Sequence, residues 1–197
     1  MGATKRIAEM FAQNYAKKQK ILKEPKTKYS IVRFGNVLAS SGSVIPLFLK
    51  QIKKGGPITL THPNVKRYMM TIPEAVQLVL ESSRISNNGD INFLDMGDQI
   101  KIYDLATRLI KLSGYNVKND KNPNGDIGIK IIGLRPGEKL YEELVIGESY
   151  EKTINPLIFK VNEECPDIEE LEKKYKLLVE ASNENNDTKI KNTISTI

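Results

Sequence analysis

The stretch Tyr29-Ser30-Ile31-Val32-Arg33-Phe34-Gly35-Asn36 decides the class of fold. Its first six residues are rich in β-branched and aromatic side chains, which predicts a short buried strand. This strand ends at Gly35-Asn36, and the carboxyl ends of strands are where open α/β sheets bind ligands. A second run, residues 91–96 (Ile-Asn-Phe-Leu-Asp-Met), predicts another buried strand.

Helical patterns lie between and around these two strands. Residues 3–18 repeat apolar side chains at helical spacing, and residues 44–53 follow Ser43, a plausible N-cap. Thr71-x-x-Glu74 is a capping box that begins a helix running to about residue 83. Further helices are predicted at residues 104–113, 138–145 and 167–181, and further strands at residues 58–61, 100–102, 127–132 and 157–161. Strands separated by helices predict an α/β protein with a mainly parallel sheet.

The number of buried strands is too small for a complete doubly wound domain. Only two strands look buried on both faces, and two parallel strands do not make a stable sheet. We therefore expect residues 1–114 to be the rear half of a Rossmann-type domain and residues 115–181 to be a smaller α/β lobe. Residues 116–125 are predicted to be a polar loop, and the Asn-, Lys- and Thr-rich residues 182–197 a disordered tail.

Composition excludes several classes of function. The net charge of the 197 residues is +6, but the lysines are spread along the chain instead of forming a stripe with aromatic side chains, which argues against nucleic-acid binding. No apolar run is long enough to span a membrane, and no secretory leader is visible, so we expect a cytoplasmic location. The single cysteine, Cys165, has no histidine or cysteine nearby, so no metal site is predicted, and His62 is expected to be a turn residue.

The front of the chain carries one residue that breaks a local rule. Lys5 falls in the first turn of the predicted helix 3–18, where a cation is disfavoured by the helix dipole. A residue that breaks a local preference without compensation is a candidate for function. The alternative is that Lys5 is an ordinary surface lysine.

Six motifs in a fixed order resemble one family. They are Met-Gly-Ala-Thr-Lys-Arg (1–6), Val-Arg-Phe-Gly-Asn-Val (32–37), Ser-Ser-Gly-Ser-Val-Ile-Pro-Leu-Phe (40–48), Thr-His-Pro-Asn-Val-Lys-Arg-Tyr-Met-Met-Thr-Ile-Pro-Glu-Ala (61–75), Leu-Asp-Met-Gly (94–97) and Gly-Leu-Arg-Pro-Gly-Glu-Lys-Leu-Tyr-Glu-Glu-Leu (133–144). Together they resemble the C-terminal portion of nucleotide-sugar 4,6-dehydratases that act on UDP-N-acetylglucosamine, within the extended short-chain dehydrogenase/reductase (SDR) superfamily. The resemblance implies the C-terminal part of a doubly wound Rossmann-type fold plus a small α/β substrate-binding lobe.

The resemblance implies a site for the cofactor, NAD or NADP. Lys5 matches the superfamily lysine that holds the nicotinamide ribose, and Phe34, Gly35 and Asn36 match the loop that passes the nicotinamide. The superfamily tyrosine four residues before the lysine corresponds to Met1, which cannot transfer a proton. Whether Met1 is native or stands for a catalytic tyrosine stays open, because a start codon also gives methionine.

The resemblance also implies a set of residues that hold the UDP-sugar. Asn36 and Arg67 match donors to the diphosphate. The stretch from Thr59 to Thr61 matches the strand whose backbone pairs with uracil, and Val44 lies in the lid over the nucleotide. In the turn 135–138, Arg135 matches a phosphate ligand and Glu138 an acceptor for the ribose hydroxyls. The alternatives are structural: a simple N-cap at Ser43, a plain strand at 58–61, and an Arg135–Glu138 ion pair that caps a helix.

The sequence contains no Gly-x-Gly-x-x-Gly turn, which is the motif that holds the cofactor pyrophosphate. One hypothesis is therefore that the chain is the rear half of the enzyme, begins partway through the active site and is inactive alone. The other is that it is a non-catalytic UDP-sugar-binding accessory half that pairs with a separate, missing N-terminal Rossmann half. The family also implies a possible homo-oligomer; the exact sugar and the configuration at C5 stay open.

Overall fold

The computed structural model describes residues 2–21, 27–143 and 150–196. The helices of this part of the chain are α1 (Gly2–Ile21), α2 (Val44–Lys53), α3 (Ile72–Ile85), α4 (Ile102–Leu112), α5 (Ile168–Asn183) and α6 (Asp187–Ser195). Its strands are β1 (Ile31–Arg33), β2 (Asn36–Val37), β3 (Ile58–Leu60), β4 (Lys66–Arg67), β5 (Met69–Met70), β6 (Ile91–Leu94), β7 (Ile100–Lys101), β8 (Val117–Lys118), β9 (Ile127–Ile131), β10 (Tyr150–Lys152) and β11 (Ile158–Val161). None of these helices is both long enough and apolar enough to cross a membrane.

The chain forms two compact units, each made of separated segments. Unit 1 comprises residues 1–33, 81–93 and 146–197, and unit 2 comprises residues 34–80 and 94–145. The sequence predicts a boundary at residue 114 instead. A single boundary in the sequence cannot describe these two units, because the chain passes from one unit to the other after β1, within α3 and within β6.

The sheet of unit 1 has the strand order β1-β6-β11-β10. Strands β1 and β6 pair in parallel, with Ile31 level with Ile91, and β10 and β11 pair antiparallel. Strand β6 is largely buried, as predicted, but every residue of β1 is only half-buried. The prediction that β1 is buried on both faces is wrong, because β1 is an end strand of this sheet.

Two polar networks stabilise unit 1. The Arg33 guanidinium at the end of β1 bridges the carboxylates of Glu9 on α1 and Glu163 after β11, at 2.6 Å each. These hydrogen bonds and charges raise the pKa of Arg33 against the opposing effect of burial. In the core, the Asn92 amide donates to the hydroxyls of Ser82 (3.0 Å) and Ser86 (2.6 Å), which attaches β6 to α3.

The core of unit 2 lies between helices α2 and α4 and the parallel sheet β3-β9-β8. Its buried side chains are Phe48, Ile52, Ile58, Leu60, Val65, Ile102, Ala106, Ile110 and Ile127. Strand β8 falls in residues 116–125, which the sequence predicts to be a loop. This polar segment is ordered as a strand because Val117 and Lys118 pair with Ile127 and Gly128 of β9.

Several local predictions are confirmed. Helix α2 has the predicted bounds. Gly114 ends helix α4, as predicted, and has φ +84°. The capping box of α3 is formed in both directions, with Thr71 N–H donating to Glu74 (2.7 Å) and Glu74 N–H donating to the Thr71 hydroxyl (3.4 Å).

Two segments differ from their predicted structure. Residues 138–143 are not helical, because Leu140 O accepts from the Lys66 N–H (2.9 Å) and from Arg67 (3.2 Å) instead of from the next turn. The remainder of that predicted helix, residues 144–145, lies outside the described residues. Within the predicted disordered tail, α6 is formed and packs against α5, and Asn186 caps it by accepting from Lys189 N–H at 3.0 Å.

Candidate nucleotide-sugar site

The turn that follows β1 in the sequence is closely packed within unit 2. Gly35 is half-buried, and a Cβ at this position would lie 2.8 Å from the Tyr68 Cβ and 3.1 Å from a Glu142 carboxylate oxygen. Only glycine fits this approach without displacing its neighbours. The Gly35 N–H donates to the Met96 sulfur at 2.8 Å. Phe34, the third residue predicted for this turn, is more than a third exposed.

Asn36 is bound to two neighbours at once. Its backbone N–H and its side-chain amide both donate to Tyr68 O, at 3.1 and 3.3 Å. The same amide nitrogen donates to the Glu142 carboxylate, at 3.3 and 3.2 Å to its two oxygens. Glu142 also accepts from the Tyr68 backbone N–H at 3.1 Å. Asn36, Tyr68 and Glu142 therefore form one polar cluster.

Glu138 is the centre of an adjoining cluster. Its carboxylate accepts from the Thr61 hydroxyl (2.8 Å) and lies 3.5 Å from the Arg67 guanidinium. Both charged side chains are mostly shielded from solvent, with exposures of 17% for Arg67 and 20% for Glu138, so their charges are screened less than those of a surface pair. Arg67 and Tyr68 are consecutive residues, so the two clusters adjoin.

The turn at residues 135–138 has the predicted tight geometry. Gly137 has φ +76°, and Glu138 N–H closes the turn on Arg135 O at 2.9 Å. The alternative of an Arg135–Glu138 ion pair is wrong. The Glu138 carboxylate pairs with the Arg67 guanidinium and accepts from the backbone N–H of Arg135, not from its guanidinium. Among the residues that the structure describes, none forms a hydrogen bond or ion pair with the Arg135 guanidinium. Arg135 is exposed, and its side chain is available to a ligand.

Thr59 has a partner that the sequence does not predict. The Gln51 side chain on α2 accepts from the Thr59 backbone N–H (3.1 Å) and donates to its hydroxyl (2.7 Å). An amide presents one donor and one acceptor side by side, as a uracil edge does. For Thr59 to pair with uracil through this N–H, the Gln51 amide has to be displaced.

The start of α2 differs in detail from its prediction. Ser43 occupies the N-cap position, but its side chain makes no capping hydrogen bond. Its hydroxyl oxygen is buried and has no partner among the described residues. Val44, the predicted lid residue, is half-buried and packs against the core of unit 2.

Lys5 belongs to unit 1. Its side chain is exposed on the first turn of α1, where no acidic residue offsets its charge. Within residues 2–21, 27–143 and 150–196, no group forms a hydrogen bond or ion pair with the Lys5 ammonium. Its role in cofactor binding stays a prediction.

His62, Asp95 and Cys165 are of residue types that often act in catalysis or bind metal ions, and none of them is assigned such a role here. His62 Nδ1 accepts from Asn64 N–H at 3.1 Å, as expected of a turn histidine, and Asp95 accepts from Gly97 N–H at 2.9 Å. Burial raises the pKa of the Cys165 thiol, which disfavours the nucleophilic thiolate. No group of three histidine, cysteine or acidic residues suited to a metal ion occurs in the described part of the chain.

Sequence reasoning missed three members of these clusters: Gln51, Tyr68 and Glu142. Tyr68 lies in the motif 61–75 and Glu142 in the motif 133–144, so their position in these motifs could have indicated that they belong to the site. Their contacts join residues 74 and 106 positions apart, which no local pattern encodes. Gln51 is a polar residue on an otherwise apolar helix face, and this alone does not indicate a partner.

Comparisons with known proteins agree with this architecture. The chain is 54% identical over 145 residues to the capsular polysaccharide biosynthesis protein CapD of Staphylococcus aureus, covering 74% of this chain and 22% of CapD. It is 38% identical over 152 residues to a UDP-glucose 4-epimerase of Rickettsia rickettsii, covering 77% of this chain and 40% of the epimerase. The chain thus spans less than half the length of these relatives.

A solved structure also resembles the chain. The X-ray structure of Pen from Bacillus thuringiensis matches with a TM-score of 0.67 and 35% identity, over 85% of this chain and 47% of that one. The architecture is that of the extended SDR fold. Residues 1–163 match a family described as polysaccharide biosynthesis protein. This match covers most of the chain, which therefore belongs to the polysaccharide biosynthesis protein family.

Proposed function

We propose that this chain supplies the UDP-sugar-binding part of a nucleotide-sugar 4,6-dehydratase of the UDP-N-acetylglucosamine type. The observation that carries the proposal is that Asn36, Thr61 and Arg67, from three separate segments, all contact residues 138–142. Such a convergence of donors on one short segment is typical of a preformed ligand site. Membership of the polysaccharide biosynthesis family supports this substrate class.

Each residue of the site has a defined role in this proposal. Arg67 and Arg135 bind phosphate oxygens, for which the guanidinium fork is well suited. Asn36 donates to the diphosphate, and the Glu138 carboxylate accepts from the ribose hydroxyls. The segment from Thr59 to Thr61 contacts the base through its backbone.

The site residues named above could hold only part of the cofactor. In this reaction class NAD or NADP supplies hydride transfer at C4 of the sugar. Lys5 is exposed on the first turn of α1, and in this proposal its ammonium donates to a hydroxyl of the nicotinamide ribose. The sequence lacks the glycine-rich turn that would hold the pyrophosphate, so the residues present fit only one edge of a cofactor site.

A second candidate function is that of an accessory binding module. The chain would then be a non-catalytic half that binds the UDP-sugar and pairs with a separate Rossmann half. The two candidates share the UDP-sugar site. They differ in whether adding a Rossmann half that carries the glycine-rich turn restores dehydration of UDP-N-acetylglucosamine.

Calorimetry with the 197-residue chain tests the shared site. We expect UDP to bind and NAD to bind more weakly or not at all. Arg67→Ala should weaken UDP binding about tenfold or more, since a hydrogen bond to a charged group is worth about 1.5–3 kcal/mol. Uridine binding should change little, because uridine has no phosphate for Arg67.

The matched control is Arg84→Ala, which removes an exposed arginine whose partner is Glu81 on the same helix. Arg84→Ala should leave UDP binding unchanged. Equal UDP affinity of wild type and Arg67→Ala would contradict the proposed phosphate site. Micromolar NAD binding by the chain alone would contradict the assignment of the cofactor site to other residues.

A further inference from the structure

Among the three glutamates of residues 138–143, Glu142 is the one that forms no ion pair with any residue that the structure describes. Glu138 pairs with Arg67, and Glu143 lies 2.6 Å from the Lys139 ammonium. In the described part of unit 2, no lysine or arginine forms an ion pair with Glu142. Within the described residues, the donors to the Glu142 carboxylate are neutral: the Asn36 amide and the Tyr68 N–H.

These donors are arranged as an anion site. The Tyr68 N–H and the Asn36 amide point at the same carboxylate, and the absence of a side chain at Gly35 lets a Glu142 oxygen approach. The Gly35 N–H, next in sequence to Asn36, donates to the Met96 sulfur. Sulfur is a weak acceptor, so this N–H is easily transferred to an anionic oxygen.

Both N–H groups of the Asn36 side-chain amide are in use while the Glu142 carboxylate accepts from it. A side-chain amide carries two N–H donors. One donates to Tyr68 O at 3.3 Å, and the other is shared between the two Glu142 oxygens. An added phosphate oxygen at Asn36 would also lie against the Glu142 carboxylate, and like charges repel. A phosphate can therefore take this donor only if Glu142 leaves.

We propose that the Glu142 carboxylate is a placeholder for a phosphate group, and that the diphosphate of the nucleotide displaces it from Asn36 and Tyr68. The proposal rests on the proposed function, because the diphosphate comes from the UDP moiety. It adds an internal competitor to that site. The Glu142 backbone O, which accepts from Gln99 at 2.9 Å, can stay in place while the side chain rotates.

Calorimetry with UDP and with uridine tests the placeholder. Glu142→Gln keeps the size of the side chain but removes its charge. Hydrogen bonds to a charged acceptor are about twice as strong as neutral ones, so this variant should bind UDP about threefold to tenfold more tightly than wild type. Uridine affinity should not change. The control Glu143→Gln alters an exposed carboxylate one residue away and should leave UDP affinity unchanged.

A double-mutant cycle locates the effect at Asn36. In the Asn36→Ala background, where the contested donor is missing, the gain from Glu142→Gln should be reduced at least by half. Thermal melts establish whether each variant is folded. If Glu142→Gln does not fold, Glu142→Ala takes its place in the cycle. Wild type offers an independent measurement: the Asn36 side-chain amide resonance, assigned by its loss in Asn36→Ala, should shift on adding UDP and not uridine.

The possible results separate the two proposals. Equal or weaker UDP binding by Glu142→Gln, with UDP binding retained in wild type, overturns the placeholder and leaves the UDP site intact. It would show that Glu142 orients Asn36 instead of competing for it. Absence of UDP and uridine binding in every variant overturns the proposed function, and the placeholder with it.

Discussion

At the scale of single residues, the site depends on one glycine. Gly35 does not have a positive φ, so its conformation is open to other residues. It is required because the Tyr68 Cβ and the Glu142 carboxylate approach its Cα. The Tyr68 Cβ is bonded directly to the backbone and cannot rotate away. The constraint is therefore spatial.

Gly35→Ala should destabilise the protein by about 1–3 kcal/mol, since an added methyl group in a closely packed region forces its neighbours apart. Urea denaturation followed by circular dichroism measures the change. Gly128→Ala is the control, because nothing lies within 4 Å of a Cβ at that position. An equal loss of stability in both variants would mean that the approach to Tyr68 is not responsible.

At the scale of elements, the capping box at the start of α3 should make stability depend on pH. Hydrogen bonds from the Thr71 hydroxyl and then from its N–H lower the pKa of Glu74. A lowered pKa in the folded state means that the stabilising contribution is present above the ordinary glutamate pKa of about 4.3. It is lost as the pH falls through the lower folded value.

Thermal melts between about pH 6 and pH 3 should therefore show a smaller acid-induced decrease in Tm for Glu74→Gln than for wild type. The glutamine cannot lose a charge, so this part of the pH dependence disappears. Glu172→Gln removes an exposed carboxylate on α5 and should keep the wild-type profile. Parallel profiles for wild type and Glu74→Gln would show that the capping box contributes nothing to acid stability.

At the scale of the whole molecule, β1 presents an open edge. Among the described strands, β1 pairs with β6 alone, and an end strand offers unpaired N–H and C=O groups to other chains. The Ile31 N–H is bonded to Asp90 O at 2.9 Å. Because successive N–H groups along a strand point to opposite edges, the Val32 N–H faces the open side.

The chain alone should associate with itself at high concentration through this edge. Val32→Pro removes the outward N–H and should reduce association measured by analytical ultracentrifugation, since proline is tolerated on the open side of end strands. Ile31→Pro is the control: it removes the N–H bonded to Asp90 and should destabilise the sheet. A wild-type chain that stays monomeric at all concentrations would contradict the prediction.

The sequence by itself determined the class of fold, most helices and the motifs that carry the site. Helix α2, the capping box at Thr71–Glu74 and the Gly114 terminus depend on contacts within a few residues, and such contacts are encoded in local spacing. The motifs also indicated Glu138 and the residues Asn36, Thr61 and Arg67, which contact residues 138–142 in the structure.

Only the tertiary structure decided how these residues are connected. Residues 138–143 are not helical, although their sequence predicts a helix. The reason is that Leu140 O and the carboxylates of Glu138 and Glu142 have partners far away in the chain. Pairing with the nearby strand β9 made residues 117–118 a strand, and a contact between residues 106 positions apart placed Glu142 on the Asn36 amide. Such contacts outweigh local preference because a buried polar group must find a partner, and the partner is set by the fold.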